Sequence, residues 1–194
     1  MLLRALKPRM FRGPTHLAEA SLPVKIGRSN ADMVFARPLD RQIRALGLGQ
    51  VTGTGVRRGK DGEVEGVDIF FALVTLHPRA LRTIGGLLEE LDAPLGSVIE
   101  FSDTGVRHLF GRTEGLGLYL DRRDGIACED DALDLLEVCT DALGAEAIYQ
   151  GSEDLGDRAV FYFYGDSFNT MKTALSLLMT SHPQFRNAYA RRLT

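Results

Sequence analysis

With 194 residues, 44% of them hydrophobic and 25% charged, the chain has ordinary globular composition and can bury a core, as one large domain or two small ones. A formal net charge of −3 argues against whole-surface attraction to nucleic acid or anionic lipid. No run reaches the roughly 18 apolar residues of a membrane span. The opening Met1-Leu2-Leu3-Arg4-Ala5-Leu6-Lys7 is too short and lacks the cleavage site of a signal peptide, which leaves a cytoplasmic protein with no membrane partner as the expectation.

Residues 1–30 read as an irregular, basic N-terminal arm, because Pro8, Gly13, Pro14, Pro23 and Gly27 interrupt every helix or strand pattern. A short strand near Leu22–Ile26 is the one regular element expected there. Residues 1–44 hold nine Lys/Arg against Glu19, Asp32 and Asp40, so a basic arm precedes an acidic body. Such an arm can meet an acidic partner or fold back onto the chain's own acidic surface.

Residues 31–101 read as one βαββαβ unit. Met33-Val34-Phe35-Ala36 has the length of a buried strand, and Pro38 opens a helix whose Leu39, Ile43 and Leu46 share a face. Gly47 and Gly49 end it. Gln50–Arg58 forms a hairpin with the strand Val67–Val74, whose apolar run belongs mid-sheet. Pro78 opens a second helix with Leu81, Ile84, Leu87, Leu88 and Leu91 on one side, and Ser97–Phe101 supplies the last strand.

Residues 102–115 read as a polar linker, after which residues 116–194 repeat the order. Leu116–Leu120 is a strand, and a helix from about Glu129 to Leu143 carries Leu133, Leu136, Cys139, Thr140 and Leu143 at helical spacing. Ala145–Gly151 is a strand, Glu153–Asp157 a turn and Arg158–Tyr164 a strong β run. Ser167 or Asp166 caps the next helix, His182-Pro183 ends it, and Phe185–Leu193 closes the unit. Leu143-Gly144 follows Leu46-Gly47 by 97 residues, Tyr164 follows Val74 by 90 and Arg191 follows Ile99 by 92. These matching offsets indicate a duplicated topology: an α+β protein of tandem βαββαβ, ferredoxin-like halves, with antiparallel sheets and helices packed on one face. A single mixed sheet is the rival arrangement.

In such a unit the sheet face away from the helices must be solvated, paired or covered. Two halves can stack those faces, join edges, or dimerise through them. Along Arg158–Tyr164, Phe161 and Phe163 point to one side and Tyr162 and Tyr164 to the other. The phenylalanines should meet the helices. The tyrosines then suit packing between the halves or an interface with a partner.

Catalytic signatures are missing from the pattern. His16, His77, His108 and His182 lie far apart, and neither Cys128 nor Cys139 has a neighbour at metal-ligand spacing. The two cysteines, about 16 Å apart along one helix, are too distant for a disulfide and fit a reducing compartment. Gly47, Gly49, Gly53 and Gly55 match no phosphate-binding loop, since no lysine follows at the needed place and the order is helix, glycines, strand. No cofactor is expected. Arg158–Tyr164 loosely resembles the aromatic strand of RNA-recognition modules but lacks their glycine, so nucleic acid is an unlikely partner. Asp68, inside the apolar VDIFFALV, needs an explanation; Arg57, Arg58 and Arg37 can pair with it. Asp68, Arg57, Arg58, Tyr162 and Tyr164 are therefore the candidate interface or ligand residues.

The stretch GQVTGTGVRRGKDGEVEGVDIFFALV, a helix and LDAPLGSVIEF, within residues 46–101, resembles small uncharacterised bacterial proteins, some similar to immunity proteins of toxin systems. The resemblance implies a binding protein rather than an enzyme. The expectation is a non-catalytic module that engages a protein partner, as an inhibitor or immunity-type factor, or self-associates. The alternative is a small-ligand-binding or enzymatic ferredoxin-like protein with a pocket between the halves.

Overall fold

The computed structural model describes residues 15–60, 62–124 and 129–193. In chain order the elements are β1 (His16–Leu22), α1 (Arg28–Ala31), a π-helical stretch (Asp32–Ala36), α2 (Arg37–Ala45), β2 (Gly49–Arg58), β3 (Val64–Leu73), α3 (Pro78–Glu89), β4 (Ser97–Phe101) and β5 (Arg107–Phe110). The second half holds β6 (Glu114–Asp121), α4 (Glu129–Leu143), β7 (Ala147–Asp154), β8 (Arg158–Gly165), α5 (Phe168–Ser181) and β9 (Tyr189–Arg192). The sheets have orders β2-β3-β1-β4-β5 and β7-β8-β6-β9, with every pairing within them antiparallel. Without β5 the two orders are identical. The chain is an α+β protein of two ferredoxin-like halves.

Three expectations need correcting. Residues 15–30 are not an irregular arm, because His16–Leu22 is the middle strand of the first sheet, paired with β3 and β4. Leu22 ends that strand; beyond it Val24 and Ile26 stay buried along the following segment. Residues 1–14 lie outside the described residues. Met33–Ala36 is helical, because Ala31, Phe35, Leu39 and Ile43 recur every fourth residue and are all buried, a period that makes one helix face. Residues 102–115 are not only linker: Arg107–Phe110 adds β5 to the edge at β4.

Other boundaries agree with local chemistry. His77 caps α3, its Nδ1 accepting from the Arg79 amide at 3.1 Å, with Pro78 in the first turn where no amide is needed. Ser167, rather than Asp166, caps α5 by accepting from the Thr170 amide. In α4 the buried stripe is Leu135, Cys139 and Leu143, while Leu133 and Thr140 face water. Burial pushes the Cys139 thiol up to about 12. Cys128 falls outside the described residues. Among the described residues, no helix is long and apolar enough to cross a membrane.

Two cores result. One joins the second sheet's Leu116, Leu118, Leu120, Phe161 and Phe163 to α4 and α5. The other joins the first sheet's Ala20, Leu22, Ile69, Phe71 and Ile99 to α2 and α3, and it also takes in Tyr119, Val160, Tyr162 and Tyr164 from the second half. The helix-free face of the second sheet is thus built into the core of the first half.

Candidate functional site

The five residues singled out from the sequence fall in two places. Tyr162, Tyr164 and Arg58 lie at the seam between the halves, whereas Asp68 and Arg57 lie on the helix-free face of the first sheet. The seam begins with strand alternation: Phe161 and Phe163 enter the helical core, and Tyr162 and Tyr164 enter the core of the other half. The Tyr164 hydroxyl accepts from the Lys25 amide at 2.8 Å and donates to the Pro23 carbonyl. The Tyr162 hydroxyl lies 2.7 Å from a Glu153 carboxylate oxygen and 3.2 Å from one of Glu63. Tyr119 reaches the same Glu63 oxygen at 3.3 Å, and Lys25 pairs with it.

Glu153 also accepts from the Val64 amide and pairs with Arg58, so one β7 carboxylate ties down the end of the β2–β3 hairpin. Sequence reasoning placed Glu153 in a turn. The polar continuation Ser152-Glu153-Asp154 extends β7 opposite Phe161, Val160 and Ala159, which brings that carboxylate into the seam. Burial first, then the nearby carboxylates, raises two of the hydroxyls, with Tyr119 pushed up to about 12 and Tyr162 raised as well; burial raises Tyr164, although the Lys25 amide that it accepts from works the other way. Beside the seam a cleft of about 320 Å³ is lined by Lys25, Asn30, Arg58, Tyr149, Ser152 and Glu153. Its cations are already paired with the seam carboxylates, an arrangement suited to holding two halves together.

On the first sheet the alternation works differently. Val67, Ile69, Phe71 and Leu73 of β3 face the helices, which puts Asp68, Phe70 and Ala72 on the opposite face. Register sets their neighbours. One row across the sheet is Gly53, Phe70, Glu19, Glu100 and Arg107, and the next is Gly55, Asp68, Ser21, Val98 and Leu109. Asp68 accepts from Ser21 Oγ at 2.7 Å and pairs with Arg57, which settles its buried carboxylate as one end of a structural ion pair. Arg58 lies beyond a register shift and turns toward Glu153 instead.

Among the described residues, nothing covers the rest of this face. Leu17 is 56% exposed, Leu109 69% and Phe70 38%. Gly53 and Gly55 bring no side chain beside Phe70, whose ring leans over Gly55, where a Cβ would meet it at 3.5 Å. Glu19 and Glu100 stand directly opposite each other on β1 and β4. Like charges so placed repel. Neither makes an ion pair or a side-chain hydrogen bond with any other described residue, although Arg107 is opposite Glu100 in register. A concavity of about 210 Å³ opens between them, lined also by Ser21, Val98 and Ser102. Sequence reasoning found Asp68 here and missed Leu17, Glu19, Phe70, Glu100 and Leu109; the alternation of VDIFFALV was the available signal for Phe70.

No family model matches this chain, and no curated protein matches it. Among solved structures it is similar to an unknown protein from Galdieria sulphuraria, at 16% identity over 92% of this chain and 97% of that one, with a TM-score of 0.30. It is also similar to the first two RRM domains of the yeast poly(U)-binding protein, at 9% identity over 91% and 99% of the two chains, with a TM-score of 0.26. TM-scores of this size carry no argument about what the chain does, and the fold assignment rests on the two strand orders.

Proposed function

We propose that this chain is a non-catalytic binding module that engages another protein through the helix-free face of its first sheet. The observation that carries the reading is that Leu17, Phe70 and Leu109 are exposed on one sheet face around Glu19 and Glu100, which have no charged partner among the described residues. Exposed apolar side chains gathered on one face and ringed by polar groups are characteristic of protein contact surfaces. The chemistry of the face selects its partner. A segment offering Lys or Arg to the two carboxylates, with apolar side chains on either side, would neutralise a repulsive pair and cover the leucines and Phe70. An inhibitor or immunity-type factor is one form such a module takes.

The test is capture of partners from a nuclease-treated lysate of the source organism by the tagged chain, its Leu17→Ser/Leu109→Ser variant and its Glu19→Lys/Glu100→Lys variant. One stoichiometric protein held by the parent and lost by both folded variants supports the reading. A partner retained by both contradicts it.

A second reading places a small ligand in the seam cleft, which has the volume for one but whose Lys25 and Arg58 already hold Glu63 and Glu153. A metabolite that raises the melting temperature of the parent, and not of an Asn30→Ala/Ser152→Ala variant, would favour it.

A further inference from the structure

We infer that the cleft between α2 and the outer edge of β2 binds a small molecule carrying a phosphate group, held by the guanidinium groups of Arg37 and Arg41. The cleft has a volume of about 670 Å³ and is lined by Asp32, Ala36, Arg37, Arg41, Thr52 and Thr54, among others. It shares no lining residue with the seam cleft, and its size suits a small ligand.

Two departures from regular backbone build it, one on each wall. On the helical wall the Arg37 amide bonds back five residues, to the Asp32 carbonyl, instead of four. In an α-helix, residues five apart stand about 140° apart round the axis. The wider turn brings Asp32 and Arg37 to the same cleft, and Arg41 follows one α-turn later. On the strand wall β2 carries a bulge. Val51 opposes Phe71 and Gly53 opposes Phe70, which leaves Thr52 without a partner residue on β3. Wide turns and bulges re-aim side chains and recur at functional sites. A bulge on an edge strand also discourages pairing with a further strand, and Asp40 already accepts from the Val51 amide at 2.8 Å. The cleft is therefore unsuited to an added peptide strand and open to a compact ligand.

Charge selects that ligand. The second oxygen of Asp40 holds Arg44 at 2.6 Å, so this carboxylate is spent. Arg37 and Arg41 are exposed and pair with no carboxylate among the described residues; Arg41 Nε donates to the Arg37 carbonyl at 3.4 Å. Asp32 accepts from Thr54 Oγ1 at 2.6 Å through one oxygen and keeps the other. Two other clefts with arginines differ. In the seam Lys25 and Arg58 hold Glu63 and Glu153, and beside Tyr189 Arg123 holds Asp121 while Arg158 holds the Tyr189 hydroxyl. At α2 the guanidiniums of Arg37 and Arg41 and the Thr52 hydroxyl all remain to donate into one space. A phosphate monoester, with a charge of about −2 and several acceptor oxygens, matches them, whereas a single carboxylate leaves one cation unanswered. The spare Asp32 oxygen favours a ligand with a hydroxyl group near its phosphate.

The test titrates the ¹⁵N-labelled full chain with sodium phosphate and with glycerol 3-phosphate, at fixed pH and ionic strength, and follows the amide shifts. Saturable shifts centred on Arg37, Arg41, Thr52 and Gly53 are expected, with glycerol 3-phosphate bound several-fold tighter than phosphate. Arg37→Gln/Arg41→Gln should weaken both ligands at least tenfold and leave the spectrum outside α2 and β2 unchanged. Asp32→Asn should erase the preference for glycerol 3-phosphate over phosphate. Shifts that do not saturate and spread over the surface arginines, or shifts centred on the seam or on Tyr189, would overturn the inference. So would unchanged binding by the Arg37→Gln/Arg41→Gln variant, or succinate bound at these residues as tightly as glycerol 3-phosphate. Partner capture reads the open face of the first sheet, so the two experiments succeed or fail separately.

Discussion

The two sheets share one strand order and use their helix-free faces in opposite ways. In the second sheet that face carries Tyr119, Tyr162 and Tyr164, is buried against the first half, and has its hydroxyls tied to Glu63, Glu153 and the Lys25 amide. In the first sheet the corresponding face carries Leu17, Phe70, Glu19 and Glu100 and meets nothing described. Duplication of a two-layer unit leaves two such faces to cover, and packing one of them onto the end of the other half covers only one. On the proposed reading, seam and open face divide the work between cohesion and contact.

Substitutions at the seam should cost stability, and substitutions on the open face should not. The largest effect is expected for Tyr162→Ala, which opens a cavity in the core of the first half and removes a donor from Glu153; about 3–5 kcal/mol should be lost in urea unfolding. A loss below about 1 kcal/mol would mean that the halves do not depend on the seam. Next comes Glu153→Ala, which leaves the Val64 amide without its acceptor and removes the nearer of the two acceptors of the Tyr162 hydroxyl, at about 2 kcal/mol.

The seam should also respond to pH. Its tyrosines have pKa values raised above the ordinary value near 10, with Tyr119 at about 12, so the folded state favours their protonated forms. Their contribution is complete below about pH 10 and is lost as pH rises from there through the raised values, at about 1.4 kcal/mol per pH unit for each group that stays protonated in the native state. Unfolding followed between pH 9 and 12 should show stability level at first and then falling. Phenolate absorbance from these three residues should appear only as the chain unfolds. Phenolate formation at all three sites in a chain still folded at pH 10 would contradict this. The smallest stability effect belongs to Leu17→Ser/Leu109→Ser, expected within about 0.5 kcal/mol of the parent because both side chains already face water.

What could be read from the sequence follows the same division. The alternation FYFY separated Phe161 and Phe163 from Tyr162 and Tyr164 correctly, because four bulky residues in a strand leave no doubt about the two faces. Offsets of 90 to 97 residues exposed the duplication although sequence identity between the halves is poor. The open face was mostly invisible. β1 is built from Ala18, Glu19, Ala20 and Ser21, small or polar residues with little β signal, and the bulkier Met33–Ala36 drew the strand assignment in its place. β5 has only four residues beside Gly105 and Gly111, in a stretch composed like a linker, so Leu109 could not be placed on any surface. Asp68 was found because a carboxylate stands out in an apolar run. The residues around it were not, since their proximity depends on register across five strands.

The most direct test of the account compares hydroxyl-radical oxidation, residue by residue, in the free chain and in the chain bound to its captured partner. Protection on binding should centre on Leu17, Phe70, Val98 and Leu109 in a chain whose seam tyrosines are unchanged between the two states. Protection centred on the seam cleft or on α4 and α5, with Leu17 and Leu109 oxidised equally in both states, would contradict the assignment of the first sheet's open face as the contact surface.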